Sequence, residues 1–314
     1  MRCLVTGAAG FIGNALTKRL AEEGHKVKGV IHQKKLQSLV KNVEYVTGDI
    51  TDKESIKSAF KDVDVVFHCA AVVKDYGPEK MFYKINLEGT KNVVEICEED
   101  GVKRFIFLSH QTYEPKEKLE FYSKTKALAE QYLNEKYKRE KFPVVIIRPG
   151  NVYGPGNAIW VIRVLNAIKR NRVTLINEGK GIFLHTYIDN LIDALMVAMK
   201  EKKAIGKTID ITDGDNSISW AEYLNSLARM AGKNPIEKNL SKNTALLIGK
   251  AMIFLHRIFG IKPKVTPMTV YIFTNKKKIS IKKAKQVLNY EPGIDYGEGM
   301  KRVENWLRNE GHIS

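Results

Sequence analysis

Short apolar, β-branched runs alternate with amphipathic helical segments through the first 150 residues, and this alternation restricts the fold more than any other feature. The strand-like runs cover residues 3–6, 27–31, 43–46, 65–68, 105–108 and 144–147. The helical patterns between them cover residues 11–23, 53–61, 80–100 and 120–140. Strands that are apolar throughout are buried on both faces, so the order predicts an α/β fold with a doubly wound parallel sheet. Ligands of such sheets bind at the carboxyl ends of the strands.

The alternation loosens after residue 148. Helical patterns near 158–170, 190–200 and 220–231 are separated by short strand-like pieces and turns. Ser219 with Glu222, and Asp295 with Glu298, have the spacing of capping boxes that open helices. We therefore predict a dinucleotide-binding domain over 1–150 and a smaller substrate-binding lobe over 151–314, packed closely together.

A glycine-rich run, TGAAGFIG at 6–13, directly follows the first strand and opens the first helix. Its glycines, Gly7, Gly10 and Gly13, allow a tight turn and a close approach of backbone N–H groups to a pyrophosphate. The spacing is GxxGxxG, and an ordinary strand–helix turn is the alternative interpretation. The position between the first strand and the first helix favours a Rossmann-type nucleotide site, with Phe11 and Ile12 beside it.

The end of the second strand indicates which cofactor binds. An Asp or Glu there would bind the ribose 2′-hydroxyl of NAD. This chain has no acid there but His32, Lys34 and Lys35, which suit a 2′-phosphate and favour NADP(H) over NAD(H). The alternative is that both lysines only solvate a loop. Asp49, followed by Ile50, is placed to meet the adenine or to form a simple turn.

Tyr122 and Lys126 lie four residues apart at the start of a helical segment, which puts the phenol and the ammonium on one helix face. A free tyrosine has a pKa near ~10, too high for efficient proton transfer at neutral pH. A nearby ammonium favours the phenolate and lowers that pKa. The pair is a candidate acid/base centre, although YxxxK alone also occurs as surface decoration.

In this order, the motifs resemble the extended short-chain dehydrogenase/reductase superfamily, and the resemblance covers nearly the whole chain. The matching runs are TGAAGFIG at 6–13, GDI at 48–50, HCAA at 68–71, NLEGT at 86–90, YSKTK at 122–126 and RPGNVYGPG at 148–156.

The resemblance implies a role for each motif. The implied cofactor contacts, added to the glycine run, are Asp49, Ile50, Ala70, Ala71, Pro149, Asn151 and Val152. Asn86 would support the active-site helix. Tyr122 would be the acid/base, and Lys126 would bind the nicotinamide ribose and tune Tyr122. Cys69 is interpreted as small core packing.

One position departs from the family pattern. A Ser or Thr, often in a Ser-Ser pair, usually ends the fifth strand and donates a hydrogen bond to the substrate oxygen. Here His110 occupies the position of the second serine. Ser109, His110 or Thr112 could serve, or none of them; we choose Ser109 as the third catalytic residue.

Further segments are similar to the branch that contains 3β-hydroxysteroid dehydrogenase and dihydroflavonol reductase. They are DYGP at 75–78, HTYIDN at 185–190 and the tail over 273–290. Ile182, Phe183 and Leu184 stand where nucleotide-sugar enzymes tend to have Arg-Asp-Phe. We therefore expect an NADP(H)-dependent oxidoreductase acting on a hydroxyl or ketone of a small apolar molecule, sterol-, flavonoid- or isoprenoid-like. A nucleotide-sugar epimerase or dehydratase, or a non-catalytic dinucleotide sensor, is the alternative.

The chain carries 52 basic and 35 acidic residues, a formal charge of +17. The lysines are scattered and no nucleic-acid-binding motif accompanies them, so a solvated lysine-rich surface is favoured over nucleic-acid binding. The three cysteines have no CxxC spacing, which favours a reducing compartment and no metal site. A strand-like run begins at once, so we expect no secretory signal and a cytoplasmic location.

Two expectations concern surfaces. The helical segments over 80–100 and 120–140 resemble those that pair two subunits as a four-helix bundle in the superfamily, which predicts a homodimer. The segment over 245–255 is apolar almost all round, but no run of the chain reaches the length of a membrane span. A buried or dimer-facing helix is the simpler interpretation of this segment. A lid over the substrate or a shallow membrane contact is the alternative.

Overall fold

A seven-stranded, entirely parallel sheet forms the centre of the protein in the computed structural model, which describes residues 1–32, 40–112 and 120–314. Its strands are β1 (Arg2–Thr6), β2 (Lys26–Ile31), β3 (Val43–Thr47), β4 (Val65–His68), β5 (Arg104–Leu108), β6 (Val144–Pro149) and β10 (Lys207–Ile211). The spatial order is β10-β6-β5-β4-β1-β2-β3. The order reverses beside β1, which places a crevice for a ligand between the ends of β1 and β4. The predicted Rossmann-type fold is confirmed.

Two small parallel sheets lie outside the central one. They pair β7 (Asn151–Tyr153) with β9 (His185–Tyr187), and β8 (Leu175–Ile176) with β11 (Asn239–Leu240). Because β10 lies beyond residue 150 and still joins the central sheet beside β6, both predicted segments contribute to that sheet. The division at residue 150 stays a prediction.

Helices cover both faces of the sheet. They are α1 (Phe11–Glu22), α2 (Lys53–Phe60), α3 (Glu79–Phe82), α4 (Gly89–Glu99), α5 (Phe121–Glu140), α6 (Arg163–Lys169), α7 (Ile188–Lys200), α8 (Trp220–Met230), α9 (Lys242–Phe259), α10 (Pro267–Thr274), α11 (Lys282–Leu288) and α12 (Tyr296–Asn309). The sheet separates two large apolar clusters: Val5 and Phe67 belong to the one that includes α1 and α7, and Leu4 and Val66 to the one that includes α2 and α4. Successive residues of a strand thus pack into the clusters on opposite faces of the sheet, as expected for strands buried on both faces.

The predicted elements of the first half are present with ends shifted by one or two residues. The main difference lies in the segment predicted as one helix over 80–100. A π-helical stretch, Tyr83–Glu88, separates α3 from α4. Such i→i+5 stretches are rare in helices and occur often at functional sites.

Both predicted caps are confirmed. The Ser219 hydroxyl accepts a hydrogen bond from the Glu222 N–H at 3.1 Å, and the Asp295 carboxylate accepts one from the Glu298 N–H at 2.8 Å. The 245–255 segment is predicted to be a buried or dimer-facing helix: burial within the protein is wrong, and a dimer-facing helix stays a prediction. The segment lies in α9, where Ala245 and Gly249 are the buried residues.

Candidate active site

The turn between β1 and α1 is too tight for side chains at its glycines. Gly7 has φ +69°, and a Cβ added there would lie 2.8 Å from the backbone N and Cα of Ala70. A Cβ at Gly13 would lie 2.2 Å from the Gly7 carbonyl oxygen. Gly10, the N-cap of α1, has no side chain to cap the helix. The positive end of α1 therefore meets an exposed backbone turn at the edge where Ala70 follows β4, which suits a phosphate.

An open groove runs from this turn between α1 and α7. Its walls include Gly10, Phe11 and Lys18 on one side and Tyr187 and Ile188 on the other. Ile12 is half-buried and packs into the core behind the turn. Glu22 and Asp189 also line the groove, and the Lys18 ammonium lies 3.9 Å from a Glu22 carboxylate oxygen, so both charges stand beside the backbone turn.

At the far end of β2, the His32 Nδ1 lies 3.7 Å from an Asp49 carboxylate oxygen, and both side chains are exposed. The Asp49 carboxylate also accepts a hydrogen bond from the Thr51 N–H at 2.8 Å. Asp49 therefore does form a turn, while its part in adenine binding stays a prediction. Ile50 is buried beneath it against Gly89. Lys34 and Lys35 lie outside the described residues.

A buried histidine links the glycine turn to the π-helical stretch. The Thr6 hydroxyl lies 2.8 Å from His68 Nδ1, and the Thr90 hydroxyl lies 3.0 Å from His68 Nε2. The Thr90 hydroxyl donates to the Asn86 carbonyl oxygen at 2.7 Å, so it must accept from Nε2–H. Thr6 then donates to Nδ1 and accepts from the Ala70 N–H at 3.3 Å. Burial lowers the His68 pKa to about 3, so the ring is neutral.

The His68 network was not predicted from the sequence, although His68 stands in one of the matching motifs. The signal was available in the strand order. Thr6 and His68 each end a strand, and they are register partners in the paired strands β1 and β4. Every donor and acceptor in this network has a partner, which holds the side chains in one arrangement. The network connects the candidate cofactor turn to Asn86.

The Asn86 side chain holds the loop after β4 to α5. Its Oδ1 accepts from the Val72 N–H at 2.8 Å, and its Nδ2 donates to the Val72 carbonyl at 3.2 Å and to the Thr125 hydroxyl at 3.2 Å. Thr125 stands between Tyr122 and Lys126 on the first turns of α5. The π-helical geometry thus aims Asn86 at the helix that carries both candidate catalytic groups.

Tyr122 and Lys126 are buried side by side along α5, at 8% and 2% exposure. The Lys126 ammonium donates to the Leu108 carbonyl at 2.6 Å and lies 3.9 Å from the centre of the Phe107 ring. Burial lowers the Lys126 pKa to about 7, although the charge of Glu130 opposes that shift. The lysine is therefore close to its titration point at neutral pH and rests at the carboxyl end of β5.

The residues after β5 differ in what they offer a substrate. Ser109 is buried, and within the described ranges its Oγ has no hydrogen-bond partner. His110 Nε2 lies 3.1 Å from the Ser123 hydroxyl, and its ring centre lies 4.7 Å from that of Tyr122. Burial lowers the His110 pKa to about 3, so its ring is neutral too. Thr112 is exposed.

The loop that follows β6 is positioned by backbone contacts across the chain. A Cβ at Gly150 would lie 2.2 Å from the Leu184 carbonyl oxygen, to which the Asn151 N–H donates at 2.6 Å. Pro149, Asn151 and Val152 are all buried. Ala71 is half-buried in the loop after β4. The structure thus brings most of the predicted site residues to one edge of the sheet, and their contacts with a cofactor stay predictions.

A small cleft of about 30 Å³ opens at Tyr122. Phe82 and Phe121 line one side of it, and Ile253 and His256 of α9 line the other. Lys74, Asp75, Glu120 and Arg257 also line the cleft, so aromatic and aliphatic side chains share its wall with charged groups.

Other kinds of site were sought in the part of the chain that the structure describes. No three His, Cys, Asp or Glu side chains come together there as a metal centre would need. No helix in the same ranges has the length and apolar character to cross a bilayer.

The fold and the glycine turn define a Rossmann-type dinucleotide-binding protein. The family model described as the NAD dependent epimerase/dehydratase family matches residues 3–212, and the chain belongs to that family, within the extended short-chain dehydrogenases/reductases. The predicted family is therefore confirmed, as is the prediction that the chain is an NAD(P)-dependent enzyme of this type.

Similar proteins span the whole chain. A 2-alkyl-3-oxoalkanoate reductase of Stenotrophomonas maltophilia is 28% identical, with 97% of this chain and 98% of that protein covered. A decarboxylating sterol-4-alpha-carboxylate 3-dehydrogenase of Mus musculus is 26% identical over 96% of this chain and 90% of that one. A solved UDP-glucuronic acid 4-epimerase of Bacillus cereus in complex with NAD is 25% identical, with a TM-score of 0.76 and 99% of each chain covered.

Proposed function

We propose that this protein is an NADP(H)-dependent oxidoreductase that interconverts a hydroxyl and a ketone on a small apolar molecule. The observation that carries the proposal is the grouping of Tyr122, Lys126 and Ser109 at the end of β5, beside a cleft lined in part by Phe82, Phe121 and Ile253. The relatives named as a ketoacid reductase and a sterol dehydrogenase support the same reaction class.

The site fits a nicotinamide dinucleotide, because the glycine turn leaves backbone and a helix N-terminus open to a pyrophosphate. Gly7, Gly10 and Gly13 would hold the phosphates, and Lys126 the nicotinamide ribose. When bound, the cofactor supplies the carbon that gives or takes the hydride. Tyr122 donates a proton to the substrate oxygen in reduction and removes it in oxidation. The ammonium form of Lys126 favours the phenolate needed for removal.

Ser109 is proposed to donate a hydrogen bond to the same substrate oxygen. Its buried hydroxyl lacks a partner within the described ranges, and a buried polar group without one costs about 1–3 kcal/mol. A substrate oxygen would remove that cost. The neutral His110 ring, held by its contact with the Ser123 hydroxyl, packs against Tyr122 and would fix the direction of the phenol.

The packing of the 182–184 segment supports an apolar substrate over a nucleotide sugar. Phe183 and Leu184 are fully buried, and the Phe183 ring stacks on Tyr223 with centres 3.9 Å apart. The Ile182 backbone N–H donates to the Asn275 carbonyl at 2.7 Å. None of these three side chains can bind a diphosphate, and two of them are fully used in the core.

The oxidoreductase proposal is tested by following NADPH at its absorbance band with a panel of apolar ketones. Tyr122→Phe should lose about 10²–10⁴ in rate while it still binds NADPH. Tyr132→Phe is the matched control on α5, and it should keep full activity. A substrate that is converted with no net change in NADPH would instead establish an epimerase. Unchanged activity in Tyr122→Phe would remove Tyr122 from the mechanism.

We also propose NADP(H) as the preferred cofactor, because His32 and no acid directly follows β2, and two lysines come after it in the sequence. Calorimetric titration should show tighter binding of NADPH than of NADH. Replacing Lys34 and Lys35 with Ala should remove the difference, whereas the same change at the exposed pair Lys202 and Lys203 should not. Tighter NADH binding by the unchanged protein would contradict the preference.

A homodimer through α4 and α5 is proposed on the family resemblance. Charged residues are numerous on α4 and α5, and some form ion pairs within the protein, such as Lys136 with Glu98 at 2.8 Å and Lys53 of α2 with Glu99 at 2.7 Å. A dimer formed there would be polar, so its dissociation constant should rise with salt. Light scattering at low and high salt measures this, and a monomer under both conditions would contradict the proposal.

Three free thiols are consistent with residence in a reducing compartment, which we infer to be the cytoplasm.

A further inference from the structure

One face of α9 exposes a row of apolar side chains, here called the outer stripe: Leu247, Ala251, Phe254 and Ile258. Successive spacings of four, three and four residues place them on one side of the helix. Leu247 is 70% exposed, Phe254 61% and Ile258 55%. Exposed apolar faces of this kind mark interaction sites on soluble proteins.

The opposite face of α9 attaches the helix to the rest of the protein. Ala245 packs in a small apolar cluster with Ile176 and Val270. Gly249 approaches the backbone where α10 begins, with 3.0 Å between an added Cβ and the Thr266 carbonyl carbon. Core packing thus uses the inner face only, so the apolar outer stripe is not explained by the fold.

Basic residues flank the outer stripe. Lys250 and Arg257 lie along one side of it, and the exposed Lys262 and Lys264 follow the helix beyond Gly260. In the sequence, residues 238–290 contain eleven lysines, one arginine and no Asp or Glu, so this segment supplies +12 of the formal +17. Phe259 and Ile261, at 67% and 46% exposure, continue the apolar surface between the basic residues.

We propose that α9 docks this protein on an anionic phospholipid bilayer, with the outer stripe inserted at the headgroup–acyl boundary. An 18-residue helix with an apolar face and a lysine-rich margin has the properties of an interfacial helix that lies along a membrane. Anionic headgroups complement the acid-free margin. A second copy of the chain would instead bring the same positive charge against it, which disfavours self-association through this face.

The same helix forms a wall of the cleft at Tyr122. Ile253, His256 and Arg257 line that cleft from α9. On the other side of the entrance, Asp75 accepts hydrogen bonds from the hydroxyls of Thr266 and Thr269, both at 3.2 Å. A lipid-like substrate could therefore pass from the bilayer to the cleft beside α9. This delivery role rests on the proposed function, whereas the docking itself does not.

Docking is tested by sedimentation with phosphatidylcholine vesicles that contain phosphatidylglycerol, without cofactor or substrate. The unchanged protein should bind them and should bind pure phosphatidylcholine vesicles far more weakly. Combining Leu247→Gln, Phe254→Gln and Ile258→Gln should weaken binding at least about a hundredfold. Val197→Gln, at a valine 40% exposed on α7, is the matched control and should bind normally.

The charged margin is tested separately. Replacing Lys250, Lys262 and Lys264 with Gln should weaken binding by about a hundredfold, at roughly fivefold for each lysine. The matched control replaces three exposed lysines elsewhere: Lys138, Lys233 and Lys301. Equal binding to neutral and anionic vesicles, or unchanged binding by either triple variant, would overturn the proposal. So would conversion of an oligomer to a monomer by the outer-stripe variant, because a second copy would then cover α9.

Two further readouts separate docking from catalysis. Tyr122→Phe should bind vesicles like the unchanged protein. The outer-stripe variant should reduce a water-soluble ketone normally but show a raised KM for a ketone embedded in vesicles. If the vesicle binding is confirmed and the KM is unchanged, the delivery role is wrong and the docking stands.

Discussion

The close approach of Gly7 to Ala70 predicts a large cost for a single methyl group. Gly7→Ala adds a Cβ that would lie 2.8 Å from the N and Cα of Ala70 and 3.0 Å from the Cys69 carbonyl carbon. All three are backbone atoms of the loop after β4, so no flexible side chain can move aside. The left-handed conformation, with φ +69°, adds its own cost for any residue other than glycine.

Gly24→Ala is the matched control. Gly24 has φ +77°, and nothing lies within 4 Å of an added Cβ there. The control therefore carries only the left-handed cost, about 1–2 kcal/mol. Gly7→Ala carries the same cost plus overpacking, about 1–3 kcal/mol more. We expect a free energy of unfolding lowered by about 2–5 kcal/mol for Gly7→Ala.

Urea unfolding followed by circular dichroism measures both free energies, and the difference between the two variants isolates the steric contact. Calorimetry should also show NADPH binding weakened more than about tenfold in Gly7→Ala and unchanged in Gly24→Ala, because only Gly7 lies in the turn that would hold the phosphates. Equal losses of stability in the two variants, with equal NADPH binding, would refute the steric argument.

Three further predictions follow from buried polar groups. The pKa of Lys126 is about 7 in the folded state and 10.5 in the unfolded state, so between these pH values the unfolded state binds more protons and the free energy of unfolding should rise with pH, by at most about 1.4 kcal/mol per pH unit. Lys126→Met should remove this rise from the free energies of urea unfolding measured between pH 7 and pH 10. Burial raises the Asp213 pKa from 3.8 to about 7, so the contribution of Asp213 to the free energy of unfolding falls as pH rises between these values. The melting temperature of Asp213→Asn relative to the unchanged protein should therefore be highest near pH 8, and an equal difference at pH 5 and pH 8 would contradict this. Asn86→Ala should cost about 1–3 kcal/mol because it leaves the Val72 N–H without its acceptor. Asn92 is half-buried and donates a single hydrogen bond, to the Ile50 carbonyl, so Asn92→Ala is a milder control in the same urea assay.

The first half of the fold could be predicted because its pattern is local. The strands β1, β2, β4, β5 and β6 are mainly apolar runs that the sheet buries, β3 at the sheet edge is only partly buried, and the helices between them keep one apolar face. Strand ends differ by one or two residues, since pairing continues for as long as a neighbour is present. Pro149, for example, is in β6 because Ile211 pairs with it.

The remainder depends on contacts that no local pattern contains. The π-helical stretch at Tyr83–Glu88 looks like ordinary helix in the sequence. In the structure it places Asn86 within hydrogen-bond distance of Val72 and Thr125, which lie far from it in the chain. The two-residue strands β8 and β11 are too short to carry a period. The apolar composition of α9 favours a buried or dimer-facing helix but is also compatible with exposure, because the neighbours of a helix determine which of its faces are covered.

The position of β10 has a consequence for synthesis on the ribosome. Residues 144–149 are made long before residues 207–211, and until the latter emerge the outer edge of β6 offers unpaired N–H and C=O groups to any other extended chain. The nascent protein must therefore hold an incomplete sheet while nearly sixty more residues are added, and closing so long a loop is slow. A fragment that ends near residue 150 would keep the whole glycine turn and still present this open edge, so it should aggregate rather than serve as a free-standing nucleotide-binding module.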